Sequence, residues 1–152
     1  MNSMIWMVLI EWVAKLIAGV GAVLAVLVAA FNYRHQTRIK QAEWLKSLFE
    51  KFFESPIYKD VRVWLDYDML HDQLNVADAQ LRRTNEEKFT DFLNFFEFIG
   101  VLYSGNQLTF GQVFDVFDYY LKKIKSDPDC ENWIARYSFE KLKALLEKVD
   151  NG

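Results

Sequence analysis

The sequence predicts an all-α fold, with one N-terminal transmembrane helix continuing into a cytoplasmic bundle of about five helices. Three observations carry this expectation. Hydrophobic residues make up 52% of the 152, yet mean hydropathy is only −0.05, so the apolar residues must be concentrated. They are concentrated between Trp12 and Tyr33, where Lys15 is the only charge. Beyond residue 44, apolar positions recur at three-four spacing and no alternating strand pattern is found. The division expected is residues 1–33 as N-terminal segment and membrane helix, and residues 34–152 as the bundle.

About 20 apolar residues at 1.5 Å each cross a hydrocarbon core of roughly 30 Å. Lys15 can snorkel, and Trp6, Trp12, Phe31 and Tyr33 suit the two interfaces. Arg34, Arg38, Lys40 and Lys46 follow, whereas residues 1–10 carry no Lys or Arg. This asymmetry places the N-terminus outside and the C-terminal body in the cytoplasm, at a bacterial inner membrane. A cleaved signal peptide is the competing reading, because Val28-Ala29-Ala30 resembles a cleavage site. Glu11 and the apolar residues before Lys15 oppose it. Ala14, Ala18, Gly21 and Ala25 share one stripe of this helix, widened by Ala22 and Ala29. Small faces let helices approach closely in lipid, so this stripe is the expected homo-oligomer interface. Glu11 and Lys15 have the favourable spacing for a helical ion pair.

No Gly or Pro falls between Ala22 and Ser55, so the membrane helix is expected to run on as one rod with Leu45, Leu48, Phe49, Phe52 and Phe53 on its apolar face. Ser55-Pro56 ends it and starts a helix whose core face is Val61, Trp64 and Leu65. A short helix is expected near 76–81. Thr84-Asn85-Glu86-Glu87 reads as a capping box opening the strongest helix, with Phe89, Phe92, Leu93, Phe96, Ile99, Gly100 and Tyr103 on one side. Thr109 with Gln112 forms a second box before Val113, Phe117, Leu121 and Ile124. Asp127-Pro128 starts a helix with Trp133 and Ile134, and Ser138 a last one with Leu142, Leu145 and Leu146.

A net charge of −3 and pI near 5.4 argue against general nucleic-acid binding. The charge is uneven. Residues 34–62 hold 7 Lys/Arg against 4 Asp/Glu, and residues 63–152 hold 10 against 16, which fits attraction of the basic stretch to membrane lipid. With 2 His and 1 Cys, most catalytic constellations lack material, so no enzyme, metal site or cofactor is expected. Asp68, His71 and Asp72 could share a helical face, but such short acidic stretches are usually solvated. Arg62 and His71 are too far apart for the Arg–His pair of HEPN-type ribonucleases. Cys130, between Asp129 and Glu131, reads as a half-buried small residue. Glu97, set among aromatics, is expected to be a buried structural acid paired with Arg62 or else Arg136. Arg82-Arg83 and Lys122-Lys123-Lys125 are candidate anion-binding clusters, able to hold a nucleotide second messenger if an oligomer gathers them.

Leu93-Asn94-Phe95-Phe96-Glu97-Phe98-Ile99-Gly100, with Tyr103-Ser104-Gly105, Phe114-Asp115, Trp133-Ile134 and Phe139-Glu140-Lys141-Leu142, resembles a family of small bacterial single-pass membrane proteins with an all-α cytoplasmic domain of unknown function. The resemblance covers roughly residues 12–148 and implies architecture only. The functional expectation is a homo-oligomeric effector that permeabilises the membrane on a cytoplasmic signal, such as a cyclic oligonucleotide in phage defence. The alternative is a membrane-tethered scaffold recruiting a protein partner.

Overall fold

The computed structural model describes the backbone of residues 2–149 and the side chains of residues 12 and 24–149. Those residues are all-α, with no strand among them. Seven α-helices are described: α1 (Asn2–Phe53), α2 (Lys59–Asp66), α3 (Leu70–Leu74), α4 (Ala79–Ser104), α5 (Phe110–Ser126), α6 (Pro128–Tyr137) and α7 (Glu140–Leu146), with a 3-10 turn at Pro56–Tyr58. The chain divides into two compact units, Met1–Ala42 and Glu43–Gly152. The first is the N-terminal part of α1. The second holds the end of α1 and six further α-helices, rather than a bundle of about five in all.

The absence of Gly and Pro after Gly21 lets α1 run to Phe53, where Ser55 accepts a bond from the Ile57 amide and Pro56 starts the 3-10 turn. The core of the second unit is aromatic. Phe52 is fully buried, and the rings of Phe53, Tyr58, Phe92, Phe95, Phe96, Phe117 and Tyr120 surround it at 4.8–6.0 Å. Most pairs are edge-on or tilted, the arrangement that ring quadrupoles favour. Phe52 lies against Phe92, Phe95 and Phe96, while Trp44 and Leu48 share a groove with Phe98 and Leu102. The last turns of α1 therefore run antiparallel to α4.

Two helix starts differ from expectation. Helix α4 begins at Ala79, because Asp78 accepts from the amides of Gln80 and Leu81, both at 2.9 Å. Thr84 and Asn85 thus lie within the helix. The Thr84 hydroxyl donates to the Gln80 carbonyl, and the Asn85 amide, buried, donates to that of Gln73. The residues expected as a short helix near 76–81 supply this cap and the first turn, and the short helix forms earlier, at α3. Ser138 does not start α7. It closes α6 with a left-handed φ of 57°, and Phe139 at the N-cap offers no side-chain bond. The Thr109–Gln112 capping box and the Asp127-Pro128 start form as expected.

Candidate functional site

Of the expected self-association stripe, the side chains of Ala14, Ala18, Gly21 and Ala22 lie outside the described residues, as do Glu11 and Lys15. Ala25 and Ala29 are exposed, as is every side chain from Leu24 to Lys40. Leu24, Val26, Leu27, Val28, Phe31 and Tyr33 are each 56–73% exposed. Successive positions along a helix point in all directions, so this segment is apolar all round and uncovered. Among the described residues no helix is long and apolar enough to cross a membrane.

Glu97 is the clearest correction. It is half-buried and has no Arg partner among the described residues. Its carboxylate accepts from the backbone amides of Lys141 (3.1 Å) and Leu142 (2.7 Å), in the first turn of α7. Those N–H groups have no partner within their own helix, and the positive end of the helix dipole favours an anion. Glu97 thus caps α7 from another helix, and this removes the need for an arginine. One turn on, Gly100 makes the approach possible: a Cβ there would lie 2.6 Å from the Lys141 carbonyl carbon and oxygen.

Arg62 has a different role. It donates to the Phe53 carbonyl at 3.1 Å, closing the end of α1, and its guanidinium lies over the Phe52 and Phe53 rings at 5.3 and 5.4 Å. Its Nε is buried without a hydrogen bond. Arg136 lies over the Tyr137 ring at 5.4 Å. Nearby, the Tyr120 hydroxyl donates to Asp66 at 3.3 Å, and burial with the Asp66 charge pushes the phenol up to about 12.

The lysine cluster expected to bind anions is occupied within the chain. Lys122 pairs with Asp118 at 3.1 Å and lies over the Phe114 ring. Lys123 pairs with Asp68 at 2.9 Å, a bond that raises its pKa, and Lys125 donates to the Leu146 carbonyl at 3.0 Å. Carboxylates and a helix C-terminus already supply the negative charge. Arg82 and Arg83 are exposed, and Arg83 shares a groove with Glu86, Glu87 and Asp91, which opposes an anion there.

The Asp68, His71, Asp72 set does not share a helical face, because Asp68 adopts φ 55° before α3 begins. Asp68 turns to Lys123, and His71 Nδ1 lies 3.0 Å from Asp129 on α6. No metal-ligating cluster occurs among the described residues. Cys130 is fully rather than half buried. Burial, reinforced by Asp127, pushes its thiol far above the ordinary value, so it is a poor nucleophile.

Among the grooves of the second unit, two are lined by exposed aromatic rings. One, about 440 Å³, lies between α1 and α4 and is lined by Trp44, Ser47, Leu48, Phe98, Leu102 and Gln107, with Trp44 41% and Phe98 53% exposed. The other, about 420 Å³, lies between α4 and α6, where Glu86, Glu87 and Asp91 face Trp133 and Tyr137. The sequence put Glu86 and Glu87 in a cap and Trp133 on a helix, and did not join them into one surface. The signal available was the aromatic pair at i, i+4 together with three acids within six residues.

With this geometry in view, the chain matches no protein-family model, no curated protein and no solved structure.

Proposed function

We propose that this protein is a membrane-anchored, self-associating effector of a bacterial inner membrane, with the N-terminal part of α1, up to Tyr33, in lipid and the helical unit 43–152 in the cytoplasm. The observation that carries the reading is the uncovered apolar surface of α1 from Leu24 to Tyr33. Five large aliphatic and aromatic side chains in eight residues, each more than half exposed, are unfavourable in water by roughly 25 cal/mol per Å² of apolar surface. Lipid or neighbouring copies of the helix remove that cost. The charge step at Arg34, Arg38 and Lys40 sets the orientation, N-terminus outside. The small stripe from Ala14 to Ala29 supports close packing of copies.

In this reading the oligomerised α1 helices perturb or permeabilise the membrane when unit 43–152 receives a signal. The pairing of Lys122, Lys123 and Lys125 within the chain takes support away from a nucleotide signal held by these lysines. The test is controlled expression with a membrane-potential dye, comparing the native chain with Ala18→Leu/Ala25→Leu. Depolarisation by the native chain, lost in the variant along with oligomers in detergent, is the expected result. Full potential with the native chain present in the membrane would overturn the effector reading.

A second reading, a membrane-tethered scaffold, is favoured by the open groove around Trp44 and Phe98. Exposed aromatic surface of this kind is typical of protein contacts. It expects a stable membrane potential and a co-purifying partner released by Phe98→Asp.

A further inference from the structure

The groove between α4 and α6 has a chemistry that the anchoring reading does not use. Glu86, Glu87 and Asp91 line it from α4, and none of them forms an ion pair among the described residues. Elsewhere on this unit Asp60, Asp68, Asp118 and Asp129 each have a cationic or imidazole partner. From α6 come Trp133 and Tyr137, with ring centroids 5.0 Å apart and tilted by 40°. The indole N–H donates to Thr90 at 3.3 Å, and the Phe89 ring meets the indole edge-on at 5.4 Å, so Trp133 is held in place from two sides. The result is a π surface, anchored at Trp133, beside three carboxylates that form no ion pair.

Such a pair of surfaces is complementary to one kind of group. A guanidinium can stack on an aromatic face while its N–H fork bonds a carboxylate, and both contacts strengthen as water is excluded. The chain already provides half of this arrangement, since Arg136 lies over the Tyr137 ring from outside the groove. Arg83 lies at one end of the groove but makes no ion pair with the three acids. A volume of about 420 Å³ suits one or two long side chains rather than a folded element.

Within unit 43–152 the groove lies apart from the end of α1. Along α4, Phe92 to Phe96 lie beside Phe52, and α1 approaches from the Phe98–Leu102 end. Residues 86–91 thus lie on the far side of Phe92 from that end.

We propose that the α4–α6 groove docks an arginine-bearing segment of a protein partner, held between the Glu86–Glu87–Asp91 row and the Trp133–Tyr137 wall. The inference stands on α4 and α6 alone and survives failure of the anchoring reading.

The test uses the full chain in detergent micelles and a fluorescein-labelled nonapeptide of alternating Arg and Gly, with its Glu–Gly counterpart as control, read by anisotropy. The groove variant Glu87→Gln/Asp91→Asn is compared with Asp115→Asn/Glu140→Gln, which makes the same charge change at exposed positions elsewhere. Expected are a loss of about tenfold or more in affinity for the groove variant and less than about twofold for the other. Trp133→Leu should also weaken binding several-fold although it changes no charge, and Trp133→Phe should keep most of it. Circular dichroism identifies any variant that has unfolded, and the Phe variant tests the wall where Leu disrupts packing. Equal loss in both charge variants, or full binding by Trp133→Leu, would reduce the attraction to long-range charge and overturn the proposal. Loss of self-association in Glu87→Gln/Asp91→Asn without peptide would assign the groove to a second copy and overturn it too.

Discussion

Removing the Glu97 carboxylate tests the packing of α7 directly. In Glu97→Ala the amides of Lys141 and Leu142 lose acceptors at 3.1 and 2.7 Å. A hydrogen bond to a charged group contributes about 1.5–3 kcal/mol when buried, and an N-cap about 0.5–2 kcal/mol. Glu97 is half-exposed, so water rescues part of the loss, and the expected destabilisation is about 2 kcal/mol. Glu97→Gln keeps one acceptor oxygen but loses the charge facing the helix dipole, for about 1 kcal/mol. The assay is urea denaturation of the full chain in mild detergent, with amide hydrogen exchange resolved at Lys141 and Leu142. Protection at those two amides should fall first, and Arg62→Met combined with Glu97→Gln should be additive, because the two side chains share no partner. A loss below about 0.3 kcal/mol in Glu97→Ala with unchanged protection at Lys141 and Leu142, or strong coupling to Arg62, would refute the trans-cap.

Further outcomes follow from the same geometry. Gly100→Ala should destabilise by about 1–3 kcal/mol by thermal melting, despite the roughly 1 kcal/mol that alanine gains within a helix, since the added methyl meets the Lys141 backbone. Phe52→Ala should cost about 3–5 kcal/mol in the same melt, as it removes the ring that seven others surround. The Tyr120 phenol has its pKa raised from 10.0 to about 12 in the folded chain. Its contribution to stability is therefore full below about pH 10 and lost as pH rises through about 12; Tyr120→Phe should flatten that part of a denaturation-versus-pH profile. Lys122→Gln and Lys123→Gln should each leave the melting temperature nearly unchanged, because both ion pairs are exposed on at least one side.

The all-α class and most of the core were legible because they rest on periodicity. Phe89, Phe92, Leu93, Phe96 and Ile99 fall on one face of a helix whatever else the chain does, and all are buried. Caps were legible only where donor and acceptor are close in sequence, as in Thr109 with Gln112 and in Asp127 before Pro128. Thr84 looked equally good, but Asp78 acts first: its Oδ1 takes two amides and commits the following residues to the helix, so the later signal is absorbed. Glu97 was singled out correctly for its surroundings and misassigned for its partner. The amides it caps are 44 and 45 residues away and have no signature in local sequence. The lysine run failed for the same reason, since Asp68 and the Leu146 carbonyl reach it only through the fold. Open surfaces were the least legible, because exposure at Phe98 or Trp133 depends on which neighbours the tertiary packing supplies.

Site-specific labelling tests directly the proposal that α1 up to Tyr33 lies in a lipid bilayer with unit 43–152 on the cytoplasmic side. Cys130 is replaced by Ser, and single cysteines are introduced as Ser3→Cys or Glu140→Cys. Intact spheroplasts are then treated with a membrane-impermeant maleimide. Labelling is expected of Ser3→Cys in intact cells and of Glu140→Cys only after the membrane is opened. Labelling of Glu140→Cys from outside, or of neither until lysis with all of the protein in the soluble fraction, would contradict it.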